Sequence, residues 1–128
     1  MDKNVRIFLI VSFIAFFSSL IIQTVFQKIL AGEMSLWGWN PGWQREIAFW
    51  NIGCAIIAIT SLRIKETEST IPIILGFTVL FAFLGTNHLF MLFIDPYNKF
   101  HWPPFIANYI GLFFGIKILI QYKLKKLS

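Results

Sequence analysis

The sequence IFLIVSFIAFFSSLIIQTVF, which occupies residues 7–26, contains twenty consecutive residues without a charged side chain. Because an α-helix rises 1.5 Å per residue, about 20 apolar residues cross the hydrocarbon core of a bilayer. Three further uncharged stretches follow, at residues 47–62, 71–94 and 105–116. The stretch at 71–94 is long enough alone, whereas the other two reach the required length with flanking residues. The pattern predicts an all-α, polytopic membrane protein with four transmembrane helices.

Composition and length indicate one membrane domain that covers residues 1–128. Hydrophobic residues make up 57% of the chain and charged residues 13%, whereas about 25% of the residues in soluble domains are charged. We expect a bundle of four transmembrane helices at about 5–30, 41–63, 70–94 and 103–122. Cys54 is the only cysteine and lies within the second helix, which excludes a disulfide framework and a thiolate metal site.

Lysine and arginine are distributed unevenly between the two sides of this bundle. Eight of the eleven lie in the two tails and in the connection between the second and third spans, and only Lys28, Arg45 and Lys99 lie on the opposite side. Cytoplasmic segments carry the excess of basic residues, so we expect a multi-pass protein of the cell (inner) membrane with both termini cytoplasmic. The same placement assigns the net charge of +5 to orientation in the lipid bilayer and not to nucleic-acid binding.

Each predicted span carries small or polar residues at intervals of three and four positions, which places them on one helix face. These residues are Ser12, Ala15, Ser19, Gln23 and Gln27; Gln44, Ala48, Asn51, Ala55 and Ala58; Thr78, Ala82, Gly85 and His88; and Asn108, Gly111 and Gly115. In lipid, small residues let backbones approach, and polar side chains hydrogen-bond between helices. We therefore predict that Gly111 and Gly115 lie against another helix, either within one bundle or in a homo-oligomer formed through these two glycines.

The larger polar side chains fall mostly in the half of the spans that this threading places outside. Ionisable groups at membrane depth are costly unless they are paired or hydrated. A shared polar pocket in the outer leaflet explains the asymmetry better than helix contacts alone, which remain the alternative interpretation. The predicted ligand-binding residues of this pocket are Gln44, Arg45, Glu46, Asn51, Asn87, His88 and Asn108.

Glu46 and His88 are the candidate catalytic residues of this pocket, since a carboxylate and an imidazole can act as general acid and base. We expect the two side chains to approach each other at the outer end of the bundle. The alternatives are that Arg45 and Glu46 face lipid headgroups and that His88 only joins two helices. The sequence leaves open whether Arg45 pairs inside the bundle or faces headgroups.

The sequence predicts no metal site. His88, His101, Glu46 and Asp95 would have to converge from three segments, and no H-x-x-x-H or similar ligand pair is present.

Two short motifs, Gln44-Arg45-Glu46 followed by Asn51 and Gly53, and Gly85-x-x-His88, resemble a family of small uncharacterised prokaryotic membrane proteins with four helices. In that family a Q-R-E segment opens one helix and a G-x-x-H segment closes the next. The resemblance covers residues 43–116 and implies that the polar residues of the two motifs act as a unit. It implies no activity.

Three functions are compatible with these features. The first is binding of a small amphipathic molecule, a lipid or a quinone, because aromatic walls with a few convergent polar groups are typical of such pockets. The second is a membrane enzyme that uses Glu46 and His88 in acid–base chemistry. The third is an oligomeric transporter or accessory subunit, which the scarcity of polar residues in the cytoplasmic half makes less favourable.

Overall fold

The computed structural model describes residues 1–29 and 34–127. Within these residues the chain is all-helical, with four long α-helices and no strand. The helices are α1 (Lys3–Thr24), α2 (Pro41–Ser61), α3 (Thr67–Ile94) and α4 (Trp102–Leu127). By length and composition, α1, α3 and α4 could each cross a membrane. This result supports the predicted class, an all-helical membrane protein.

Helix α2 has 21 residues but is not among the three helices that are apolar enough to span a membrane. Its N-terminal half carries Gln44, Arg45, Glu46 and Asn51, which lower the hydropathy of every window that contains them. The part that follows, from Gly53 to Ile59, is uncharged. The polarity of α2 is therefore concentrated at one end.

Several helix ends follow directly from local sequence. The Asn40 side chain accepts hydrogen bonds from the backbone N–H groups of Gly42 and Trp43, and Pro41 occupies the first turn. Helix α3 ends at Ile94, directly before Asp95-Pro96, because proline cannot continue the helix. The start of α2 and the end of α3 thus coincide with a capping residue and with a helix-breaking proline.

The first helix ends at Thr24, well before the boundary expected near residue 30. The Thr24 hydroxyl donates to the carbonyl of Leu20, and the N–H of Phe26 reaches back five residues to the carbonyl of Ile21. Residues 27–29 then form a wider, π-helical turn. Val25 and Phe26 prolong the apolar run beyond Thr24, so hydropathy could not reveal where the helix geometry changes. Residues 30–33 lie outside the described part of the chain.

Packing organises the four helices as two antiparallel hairpins, with α2 against α1 and α3 against α4. Helix α1 also contacts both helices of the second hairpin and thereby joins the two. Phenylalanine rings form this junction: Phe8 meets Phe81 and Phe114 edge to face, and Phe16 meets Phe77 at 5.0 Å between ring centroids. The apolar core therefore lies around α1.

The buried face of α2 is the stripe of small and polar residues predicted from sequence. Gln44, Ala48, Asn51, Ala55 and Ala58 are all buried. Asn51 donates through Nδ2 to the Ser19 hydroxyl of α1 at 2.9 Å and to the Ile47 carbonyl at 2.9 Å. Small side chains with a few hydrogen bonds thus form the contact between α1 and α2, as expected for helices that pack in lipid.

Glycines form the contact between α3 and α4. A Cβ atom added at Gly111 would lie 2.8 Å from the Phe81 ring, and one added at Gly115 would collide with Thr78. Both glycines are buried, which confirms that they lie against another helix. The helix is α3 of the same chain, so a homo-oligomer through Gly111 and Gly115 stays a prediction that would require this contact to open.

Both termini lie at the end of the bundle that also carries the connection between α2 and α3. The N–H of Asp2 donates to the Thr67 hydroxyl at 2.9 Å, and Asn4 donates to Gln121 at 3.4 Å. Lys125 forms an ion pair with the Asp2 carboxylate at 3.3 Å. We call this the terminal end. The opposite end, formed by residues 34–40 and 95–101, is called the loop end.

Glycine substitutions test the contact between α3 and α4. We expect Gly111→Leu and Gly115→Leu to lower the free energy of unfolding in detergent by about 1–3 kcal/mol each, because a larger side chain forces the helices apart. Gly76→Leu is the matched control, since a Cβ atom at Gly76 would have nothing within 4 Å. Thermal unfolding measures all three variants. Equal melting temperatures for all of them would contradict this packing.

Candidate functional site

Two histidines and one tryptophan meet at the loop end, and we call Trp37, His88 and His101 the histidine cluster. The Nδ1 atoms of His88 and His101 lie 3.0 Å apart. The Trp37 ring covers both imidazoles, at centroid distances of 4.9 Å and 4.8 Å. His101 is completely enclosed, with 0% of its surface exposed. The cluster joins the connection between α1 and α2 to both helices of the second hairpin.

The hydrogen bonds of His101 determine which nitrogen atoms carry protons. The backbone N–H of Leu36 donates to Nε2 of His101 at 3.2 Å, so this nitrogen is the acceptor and bears no hydrogen. A neutral imidazole has one donor and one acceptor nitrogen, so His101 Nδ1 carries the hydrogen and donates to His88 Nδ1. The neutral His88 ring must then carry its own hydrogen on Nε2. One backbone N–H therefore fixes the tautomers of both rings.

The series of hydrogen bonds from Leu36 through His101 to His88 ends at the Nε2–H group of His88. This donor has no hydrogen-bond partner within the described residues. His88 is half-buried, and its ring nitrogens are not among the fully enclosed polar atoms without a partner. The cluster thus presents one oriented hydrogen-bond donor near the end of α3. Such a group can bind a carbonyl or another acceptor.

The segment that covers the cluster is held by its own hydrogen bonds. Asn98 donates from Nδ2 to the carbonyl of Met34 at 3.2 Å, which ties the two connections of the loop end together. The Ser35 hydroxyl accepts from the N–H of Trp37 at 3.1 Å, and Ser35 is buried. These contacts keep Leu36 and Trp37 in place over the histidines.

Glu46 does not join this cluster. Its side chain is on the exposed face of α2, and no hydrogen bond or ion pair connects it to His88 in the part of the chain that the structure describes. The partner of His88 is His101 instead. The reason is helical geometry, because Glu46 lies two positions and so about 200° around α2 from Gln44, which is buried against α1.

The other predicted site residues are dispersed. Arg45 and Asn87 are exposed, on α2 and α3 respectively. Asn108 donates to the Pro104 carbonyl of its own helix at 2.7 Å. Asn51 bonds to Ser19 in the contact between α1 and α2. Of the seven predicted ligand-binding residues, His88 alone belongs to the histidine cluster.

Three glutamines leave buried acceptors unpaired between α1 and α2. The Oε1 atoms of Gln23, Gln27 and Gln44 are enclosed and have no partner among the described residues, and Gln44 is only 3% exposed. An unpaired buried acceptor costs about 1–3 kcal/mol. Gln44 lies in the first turn of α2 and Gln27 in the turn that follows α1, so both lie towards the loop end.

His101 and Leu36 are the functional residues that sequence reasoning missed. The sequence pattern indicates His101 only as a potential metal ligand. The backbone N–H of Leu36 cannot be recognised from a pattern of side chains. One signal was present: the chain has only two histidines, and both lie beside the connection between α3 and α4. In this arrangement His88 Nδ1 and His101 Nε2 both act as hydrogen-bond acceptors, so neither ring keeps a free basic nitrogen.

The surface depressions of the described residues are shallow. One follows the exposed face of α2 and is lined by Glu46, Phe49, Trp50, Gly53, Cys54 and Ile57. Another lies at the terminal end, between Asp2, Thr67, Glu68 and the end of α4. His88 lines neither of them.

Comparisons of the chain with models of protein families, with curated proteins and with solved structures found no match. The likeness of its Q-R-E and G-x-x-H motifs to a family of four-helix membrane proteins stays an expectation.

Acid should weaken the histidine cluster. Burial lowers the pKa of His101 below its usual value, and the nearby Asp95 carboxylate only partly opposes this effect. The unfolded chain therefore binds a proton more readily, so this stabilisation is complete above about pH 6.5 and is lost as the pH falls from there towards the lower folded pKa. We expect the melting temperature in detergent to fall between about pH 6.5 and pH 5.

His101→Asn supplies the control for this measurement, because an amide keeps a donor near His88 and does not titrate. The variant should lose roughly 1 kcal/mol of stability at pH 7.5, since it forfeits the bond from Leu36. Its melting temperature should fall less than that of the parent over the same pH range, because only one of the two imidazoles of the cluster remains to titrate. A variant that retains the full pH dependence of the parent would show that the histidine cluster is not its source.

Proposed function

We propose that the chain is a multi-pass protein of the cell (inner) membrane in which all four helices cross the bilayer and both termini are cytoplasmic. The excess of lysine and arginine near the termini supports this orientation. The contacts between Asp2, Thr67 and Lys125 are compatible with it, because they bring the two termini to one end. Helix α2 would cross beside α1, with its polar residues near the outer interface.

We further propose that the protein binds a small amphipathic molecule, a lipid or a quinone, at the outer end of this bundle. The observation that supports this function is the oriented and unpaired Nε2–H donor of His88. A donor at membrane depth gains from any acceptor that reaches it, because hydrocarbon offers none. The polar head of the ligand would accept from His88, and the Trp37 ring would pack against it.

The tautomers of the cluster narrow the chemistry of this head. Since Leu36 makes His101 a donor to His88, His88 can offer only a hydrogen to the ligand. The matching groups on small membrane molecules are the carbonyl oxygens of quinones and of acyl esters. Both carry an apolar tail, which the exposed aliphatic and aromatic side chains around the bundle would accommodate.

The acid–base enzyme receives less support from the same geometry. General acid–base catalysis would require Glu46 and His88 within hydrogen-bond reach of one substrate, whereas Glu46 lies on the exposed face of α2. No observation favours the transporter or accessory subunit over binding.

Tryptophan fluorescence tests ligand binding. A short-chain benzoquinone with a decyl tail should quench the purified protein in detergent with a saturable component that Trp37→Phe removes. Trp50→Phe is the matched control, because Trp50 is exposed on α2, and it should keep the component. His88→Leu should weaken binding about tenfold, the equivalent of one lost hydrogen bond.

Competition separates the two classes of ligand. An ester-linked phospholipid that displaces the quinone, while its ether-linked analogue does not, would assign the site to acyl-ester carbonyls. Displacement by neither lipid would assign it to quinones. Quenching that never saturates, or that is unchanged by His88→Leu, would contradict binding at this site.

Accessibility of introduced cysteines tests the orientation. In a Cys54→Ala background, Tyr97→Cys should react with a membrane-impermeant maleimide on intact cells, since Tyr97 is 90% exposed at the loop end. Lys123→Cys, near the terminal end, should react only after the membrane is opened. The reverse pattern would place the histidine cluster at the cytoplasmic face.

A further inference from the structure

Helix α2 has a second continuous face, opposite the one that packs on α1. Glu46, Phe49, Gly53, Ile56 and Thr60 follow one another at intervals of three, four, three and four residues and are all exposed. Phe49 is 66% exposed and Ile56 is 55% exposed. This spacing is the one by which two helices pack along a shared line. We call these five residues the outer face of α2.

Space for a neighbouring helix is present at the middle of this face. A Cβ atom added at Gly53 would meet nothing within 4 Å, and Phe49 and Ile56 project one turn to either side. A glycine between two larger apolar residues allows a second helix to approach closely while the larger side chains pack around it. None of the other three helices occupies this position.

Two charges, Glu46 at the start of this face and Arg45 on its flank, are unpaired within the described residues. Arg45 and Glu46 are both exposed, and neither forms an ion pair or hydrogen bond in the described structure. As consecutive residues they project about 100° apart, so they are poorly placed to pair with each other. Charged groups near hydrocarbon are costly unless they are paired or reach water.

We propose that the outer face of α2 binds the same face of a second copy of this chain. The face is self-complementary, because the anion Glu46 at its start has the cation Arg45 on its flank at nearly the same height. Around a two-fold axis parallel to the membrane normal, Arg45 of each copy comes beside Glu46 of the other, and two reciprocal ion pairs form. Gly53 then lies at the closest approach, with Phe49 and Ile56 packing in layers above and below.

Two features favour a second copy over other partners. Lipid tails can cover Phe49 and Ile56, and headgroups can solvate Arg45 and Glu46, but only a second copy offers both charges a partner at a fixed position. A different protein would need a matching arrangement of charges, which this chain already possesses. The pairing also explains why α2, whose Arg45 and Glu46 are exposed, is the helix that is not apolar enough to face lipid alone.

Cysteine cross-linking in native membranes tests the proposal. In a Cys54→Ala background, Phe49→Cys and Ile56→Cys should each form a disulfide-linked dimer upon oxidation with copper phenanthroline. The parent chain supplies an internal control, because Cys54 lies on the flank of the face and should cross-link at least fivefold less. Val79→Cys, exposed on α3, reports random collision and should remain monomeric.

Charge reversal tests the ion pairs. Glu46→Arg alone should reduce cross-linking of Ile56→Cys by at least fivefold, because it places four cations together, and the added change Arg45→Glu should restore it. Equal cross-linking at positions 49, 54, 56 and 79 would indicate collision and overturn the proposal. So would a monomer at all positions, which would leave this face to lipid, or a cross-linked product of any mass other than twice that of the chain.

Discussion

A neutral imidazole offers one hydrogen-bond donor and one acceptor, and the loop end of this protein depends on that constraint. The backbone N–H of Leu36 occupies Nε2 of His101, so His101 must donate to His88, and His88 must present its own hydrogen outward. These two hydrogen bonds attach the connection between α1 and α2 to the hairpin that α3 and α4 form. The position and the protonation of both imidazoles therefore follow from one backbone group.

The rest of the bundle provides a rigid support for this arrangement. Aromatic contacts around Phe8 and Phe16 join α1 to the second hairpin, and glycines on α4 bring it close to α3. At the terminal end, Asp2 bonds to Thr67 and pairs with Lys125. Packing and ion pairs close the centre and the terminal end, and the histidine cluster is a contact whose strength depends on pH near neutrality.

Much of the fold was predictable because it depends on local patterns. The stripe from Gln44 to Ala58, the cap at Asn40, the stop before Pro96 and the contacts of Gly111 and Gly115 all follow from spacing or from single residues. The early end of α1 at Thr24 was not predictable, since it reflects a change of helix geometry inside an apolar run.

The site was harder to predict, for a related reason. Glu46 and His88 were predicted to meet because they lie at a similar depth in the membrane. Contact also depends on the direction in which each side chain points from its helix. Because Gln44 is buried, Glu46 points away from the bundle. The pairing of His88 with His101 depends on the conformation of two connections and on the N–H of Leu36. Hydropathy and side-chain spacing carry no information about either.

Nitrogen NMR of the two histidines tests the central claim most directly. With uniform ¹⁵N labelling, and with His88→Asn to assign the signals, the protonation of all four ring nitrogens can be read at pH 7.5. The series of hydrogen bonds requires a hydrogen on Nδ1 of His101 and on Nε2 of His88. The other two ring nitrogens, Nε2 of His101 and Nδ1 of His88, must carry no hydrogen. A hydrogen on Nε2 of His101 would be incompatible with the bond from Leu36 and would contradict the account.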